Sequence, residues 1–88
     1  MFQVSDAAKV ALQDRLNETT KPYFRMQMRH SCFMKLKLTT EEVKNENDIV
    51  VELNGYTFII NKDHVHYFQN KKLDFIPDQH GFKQFEIV

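Results

Sequence analysis

From Phe24 to Leu38 apolar and polar residues alternate, the period of a strand that turns one face to a core and the other to water. Phe24, Met26, Met28 and His30 share one face of the first stretch, with Arg25, Gln27 and Arg29 on the other. Phe33 to Leu38 repeats the pattern, with Met34, Leu36 and Leu38 inward and Lys35 and Lys37 outward. Joined through the short Ser31-Cys32 connection, the two stretches predict a hairpin with a basic outer face, a methionine-rich inner face and Cys32 at its tip. A second hairpin is predicted where Ile49, Val51 and Leu53 alternate up to Asn54-Gly55 and Tyr56, Phe58 and Ile60 alternate away from it. Asn-Gly signals such a turn because both residues tolerate positive φ. Two more extended stretches, Leu73 to Ile76 and Phe82 to Val88, flank the turn-forming run Pro77-Asp78-Gln79-His80-Gly81.

Helical spacing occurs twice. Ala8, Ala11, Leu12 and Leu16 line one face of a helix that Ser5 caps and that ends near Asn17, ahead of Thr19-Thr20-Lys21-Pro22. Lys62 to Asn70, with Asn61 as its cap, sets Val65, Phe68 and Gln69 on one face and predicts a second short helix. Thr39 to Asn47 is polar and charged without apolar periodicity, which predicts a turn-rich connection. Alternation and residue type select Phe24, Met28, Leu36, Val51, Leu53, Phe58, Ile60, Val65, Phe68, Leu73, Phe75 and Phe85 as the core.

The 88 residues are read as a single domain, 1–88. A domain of this size hides only about 60 to 65% of the surface its unfolded chain exposes. Net charge is zero, which argues against a protein whose main task is to neutralise nucleic-acid phosphates. Residues 1–44 carry eight Lys or Arg against five Asp or Glu, and residues 45–88 carry four against seven, a polarity that suits self-association or an acidic partner. No apolar run approaches the roughly 20 residues that span a bilayer, and the first residues lack the pattern of an export signal. With one cysteine there is no internal disulfide, and a cytoplasmic location is the expectation.

Few residues carry recognisable chemistry. Gly55 and Gly81 are the two glycines, too few and too far apart for a phosphate-cradling loop. Glu41-Glu42, Asp74 and Asp78 lack the apolar setting that separates carboxyl pKa values for acid-base work. His64 and His66 share a face only on a strand; on a helix they point about 200 degrees apart and read as surface histidines. Met26, Met28 and Met34 read as adaptable core filler, and Arg25, Arg29, Lys35 and Lys37 as the solvated face of a sheet. Cys32 follows Arg29 and His30, neighbours that favour a thiolate if they approach it, but no third group or oxyanion site specifies a nucleophile, so no enzyme is expected.

In order, the pieces are a helix, a hairpin with a cysteine near its tip, Asp48-Ile-Val-Val-Glu-Leu-Asn-Gly, an apolar strand, a short helix, Leu73-Asp74-Phe75 and Gly81-Phe82. This order resembles the HesB-like, A-type iron-sulfur carrier family. The resemblance covers nearly the whole chain, from Val4-Ser5-Asp6-Ala7-Ala8 through Arg25 to Gly81-Phe82-Lys83. It implies a mainly β, α+β fold with two short helices, built as a mixed-strand sandwich or distorted pseudobarrel. It also implies that Cys32 is the family's first ligand for iron or a small iron-sulfur cluster. The family's C-terminal Cys-x-Cys pair has no match in the sequence, and His30-Ser31-Cys32-Phe33 stands where the family has a glycine-flanked cysteine. Because clusters are usually held by four ligands, mostly thiolates, one at Cys32 would be shared between subunits, the set completed by a tetramer, by histidine or carboxylate substitutes with His30 and His80 as the auxiliary histidines, or by an external thiol such as glutathione. Two readings stay open. One is a homo-oligomeric protein of iron-sulfur cluster assembly or iron handling, with other assembly proteins as partners. The other is a metal-free interaction module on the same fold, which binds a protein through the basic hairpin or an exposed sheet edge. Neither reading involves nucleic acid or a membrane.

Overall fold

The alternating segments form two mixed sheets. A computed structural model describes the backbone of residues 1–30 and 34–88 and the side chains of residues 1–29 and 35–88. The elements are β1 (Gln3–Val4), α1 (Asp6–Asn17), β2 (Tyr23–His30), β3 (Met34–Glu41), β4 (Asp48–Leu53), β5 (Tyr56–Asn61), a single 3-10 turn (Val65–Tyr67), β6 (Lys72–Pro77) and β7 (Lys83–Ile87). One sheet has the order β3-β2-β5-β4 and the other β1-β6-β7. Within them β2–β5 and β1–β6 are parallel and the remaining pairs antiparallel. β3 and β7 pack side by side without a shared ladder, so the sheets form an open sandwich rather than a closed barrel.

The core lies between the sheets and α1. Phe24, Met26, Phe58, Ile60, Phe68, Leu73 and Phe85 are buried, and Met28, Leu36, Val51, Leu53, Val65 and Phe75 pack against them half-buried. Alternation on β2 and β5 explains this, since Phe24 opposes Phe58 in the ladder and both turn to the same face. At the second hairpin Asn54 has φ 55° and Gly55 φ 83°, the left-handed pair that a two-residue turn requires.

Two expectations need correction, and one strand lay outside them. The helix expected over Lys62 to Asn70 is a single 3-10 turn. Only Phe68 of that segment is fully buried, and the Asn61 side chain accepts from the Asp63 N–H at 2.9 Å, closing a local turn instead of starting a helix. β3 runs on to Glu41, into the segment expected to be loop, because Tyr23 pairs with Glu41 and Arg25 holds its carboxylate. β1 is too short to show a period, yet Phe2 and Val4 are buried and the strand pairs with β6.

Helix α1 is anchored where its sequence begins. The Ser5 hydroxyl accepts from the Ala8 N–H at 3.1 Å and donates to Asp74 Oδ1 at 2.6 Å, tying the helix start to β6. This hydrogen bond, with a second from the Phe75 N–H, holds the Asp74 carboxyl below its ordinary range. Ser5→Ala is therefore expected to cost about 1 kcal/mol, a fall in Tm of roughly 4 to 8 °C. In the same variant an NMR titration should show the Asp74 carboxyl moving back up. No helix among the described residues is long and apolar enough to cross a membrane.

Candidate functional site at the end of the first hairpin

The β2–β3 hairpin is fixed at its base and extends beyond its neighbours. β5 accompanies β2 only from Tyr23 to Arg25, while β3 stays paired with β2 as far as His30 and Met34. Beyond Arg25 the β2 edge is met by a side chain: the Met28 N–H donates to His64 Nδ1 at 3.1 Å. His64 also lies edge-on to Tyr67, with centroids 5.7 Å apart. His66 is exposed, with its ring 4.0 Å from that of Tyr67. The two histidines thus do different work, one holding a strand edge and the other covering a ring.

At the base, Arg25 departs from the solvated face expected of it. Its residue is only 8% exposed, and its guanidinium meets Asp48 through two hydrogen bonds of 2.8 and 2.7 Å while Nε donates to Glu41 at 2.7 Å. The Asp48 side chain is fully buried and also accepts from the Asn45 N–H at 2.7 Å. The Arg25 hydrogen bonds hold the Asp48 carboxyl below its ordinary range against the cost of burial, and Asp48 in turn raises the guanidinium above its own. Arg25 and Glu41 sit on neighbouring strands, but Asp48 belongs to β4, two strands away across β5. The arginine therefore reaches over β5, where Ile59 is buried on this outer face. Alternation alone placed Arg25 with the solvated cations; only the sheet order brings it two carboxylates.

Met28, Lys35 and Leu36 of the hairpin border an open groove of ≈ 680 Å³. They form one wall, Gln84, Glu86 and Ile87 of β7 another, and the turn from Pro77 to His80 closes the end. Asp78 builds that turn, its Oδ1 accepting the N–H groups of His80 at 2.8 Å and Phe82 at 3.0 Å. Gly81, at φ 86°, lets the chain double back. His80 is thereby brought to the same groove as Lys35, whose ladder partner is Arg29. Cys32, the Ser31-Cys32 connection, the start of the second strand at Phe33, and the side chains of His30 and Met34 lie outside the described residues. Among the described residues no three His, Cys, Asp or Glu side chains come together as a metal site.

No family model and no curated protein matches the sequence. Solved structures do. The chain matches a protein from Aquifex aeolicus, determined by solution NMR, at 22% identity and a TM-score of 0.76, covering 99% of this chain and 89% of that one. It matches IscA with a 2Fe-2S cluster at 18% identity and a TM-score of 0.76, over 100% and 84% of the two chains. It matches Escherichia coli SufA, involved in the biosynthesis of iron-sulfur clusters, at 11% identity and a TM-score of 0.78, over 99% and 83%. Likeness of this extent at such low identity establishes a shared fold, the one the family resemblance implied.

Proposed function

We propose that the chain is a HesB-like carrier that handles iron or a small iron-sulfur cluster through Cys32, as a binding protein of the cytoplasm rather than an enzyme. The observation that carries the reading is the likeness, over 99 to 100% of this chain, to IscA with its 2Fe-2S cluster and to SufA, combined with a lone cysteine between β2 and β3 in the sequence. Iron or cluster is here a cargo. One chain supplies one thiolate, so a second copy brings the partner Cys32, and His30 and His80 or an external thiol complete the set. The position of His80 beside the hairpin wall supports its place in that set. Other proteins of cluster assembly are the expected donors or acceptors.

Purified protein incubated anaerobically with ferrous iron and sulfide tests this. Wild type is expected to gain visible absorbance and bound iron with a rise in oligomer mass, and Cys32→Ser to lose all three. His80→Ala is expected to weaken retention of iron without changing the fold.

The lack of a match in this sequence for the family's Cys-x-Cys pair favours a second reading, the metal-free interaction module. A colourless, iron-free wild type that behaves like Cys32→Ser throughout would leave that reading standing alone.

A further inference from the structure

On the outer face of the four-stranded sheet, cations are treated in two ways. Near the base Arg25 is matched by Asp48 and Glu41. Farther along the two strands Arg29, Lys35 and Lys37 are exposed, and none of the three forms an ion pair among the described residues. Arg29 stands directly opposite Lys35 in the ladder, and Lys37 stands opposite Gln27. Side chains so paired have Cβ atoms about 4.5 to 5.5 Å apart, and like charges there destabilise a sheet. The acid across the groove, Glu86, accepts from the Gln84 side chain at 2.6 Å and makes no ion pair with Lys35. A chain of zero net charge thus keeps three cations together that have no ion pair among the described residues.

We infer that this face docks an acidic segment of a partner protein in extended conformation. Lys35 and Lys37 project from alternate positions of β3, an end strand of its sheet, about 7 Å apart. Alternate residues of an extended segment recur at the same spacing, so carboxylates two positions apart meet both lysines while Arg29 reaches the strand between them. A nucleic acid fits less well. Among the described residues of β2 and β3 no aromatic side chain stands beside these cations on this face to stack a base, the neighbours there being Gln27 and Thr39. The inference does not depend on the iron reading, because none of the three cations is assigned to hold metal.

The test is a fluorescence-anisotropy titration of wild-type protein with a labelled peptide of about eight residues bearing Glu at alternate positions. It is run at about 0.02 M and about 0.3 M salt. Saturable binding that weakens with salt is expected, and Lys35→Gln/Lys37→Gln should weaken it about tenfold. Lys62→Gln/Lys71→Gln, equal in charge change at exposed positions elsewhere, should change it less than about twofold. Because Lys35→Gln removes the opposed charge at Arg29, the hairpin double variant should also melt roughly 1 to 5 °C higher, which separates lost docking from lost folding. Equal weakening in both double variants, no saturable binding, tighter binding of a single-stranded oligonucleotide of equal charge, or salt-sensitive self-association that displaces the peptide would each overturn the inference.

Discussion

Asp48→Ala is expected to remove about 3 to 5 kcal/mol of stability, because it leaves the Arg25 guanidinium buried without its principal partner. A chain of this length holds roughly 4 to 13 kcal/mol in all, so the loss is a large share of the total and amounts to a fall in Tm of at least about 12 °C. Removing both charges is a different experiment. Arg25→Met/Asp48→Leu leaves no uncompensated buried charge, while Glu41 is exposed enough to be hydrated, so the double variant should be markedly more stable than Asp48→Ala alone. Chemical denaturation of the three proteins checks this, and a double variant as unstable as the single one would show that the penalty is lost packing rather than an orphaned charge. The pH dependence has the sign of a depressed carboxyl. Stability from Asp48 is fully present above the unfolded carboxyl value of about 3.9 and is lost as pH falls through the lower folded value, so wild type should lose stability below about pH 4 with a steeper slope than Asp48→Asn.

Phe58→Ala is expected to cost about 3 to 5 kcal/mol for a different reason, the void it leaves in the core. Phe58 is fully buried in β5, edge-on to Phe2 at 5.2 Å and tilted against Phe24 at 5.8 Å. It joins the residue ahead of β1 to the first hairpin, and Phe24 cannot follow the lost ring without leaving β2. Phe82→Ala removes the same atoms from a turn where the residue is 74% exposed, and should change stability by no more than about 0.5 kcal/mol. Urea denaturation of both variants measures the contrast. A Phe82→Ala cost comparable to that of Phe58→Ala would mean that the ring of Phe82 is covered in solution.

Several features were legible in the sequence because they are local. The amphipathic spacing of α1 with Ser5 as its cap, the alternation through both hairpins and the Asn54-Gly55 turn all depend on residues within a few positions of one another. The order of those elements was also enough to anticipate a fold shared with IscA and SufA at identities of 18% and 11%. Of the candidate ligands, the His80 turn is now placed on a groove beside the hairpin, while Cys32 and the His30 side chain lie outside the described residues.

What the tertiary structure decided concerns partners far apart in the chain. Period two puts Arg25, Arg29, Lys35 and Lys37 on one sheet face and treats them alike. Sheet order gives Arg25 a carboxylate 23 residues away and, among the described residues, gives the other three none, which divides one basic face into a buried clamp and an exposed cationic surface. Likewise nothing near Met28 announces that His64, 36 residues on, will take its N–H where β5 has turned away. A sequence pattern states which face a side chain is on, and only the neighbouring strands settle whether a charge there meets a carboxylate or water.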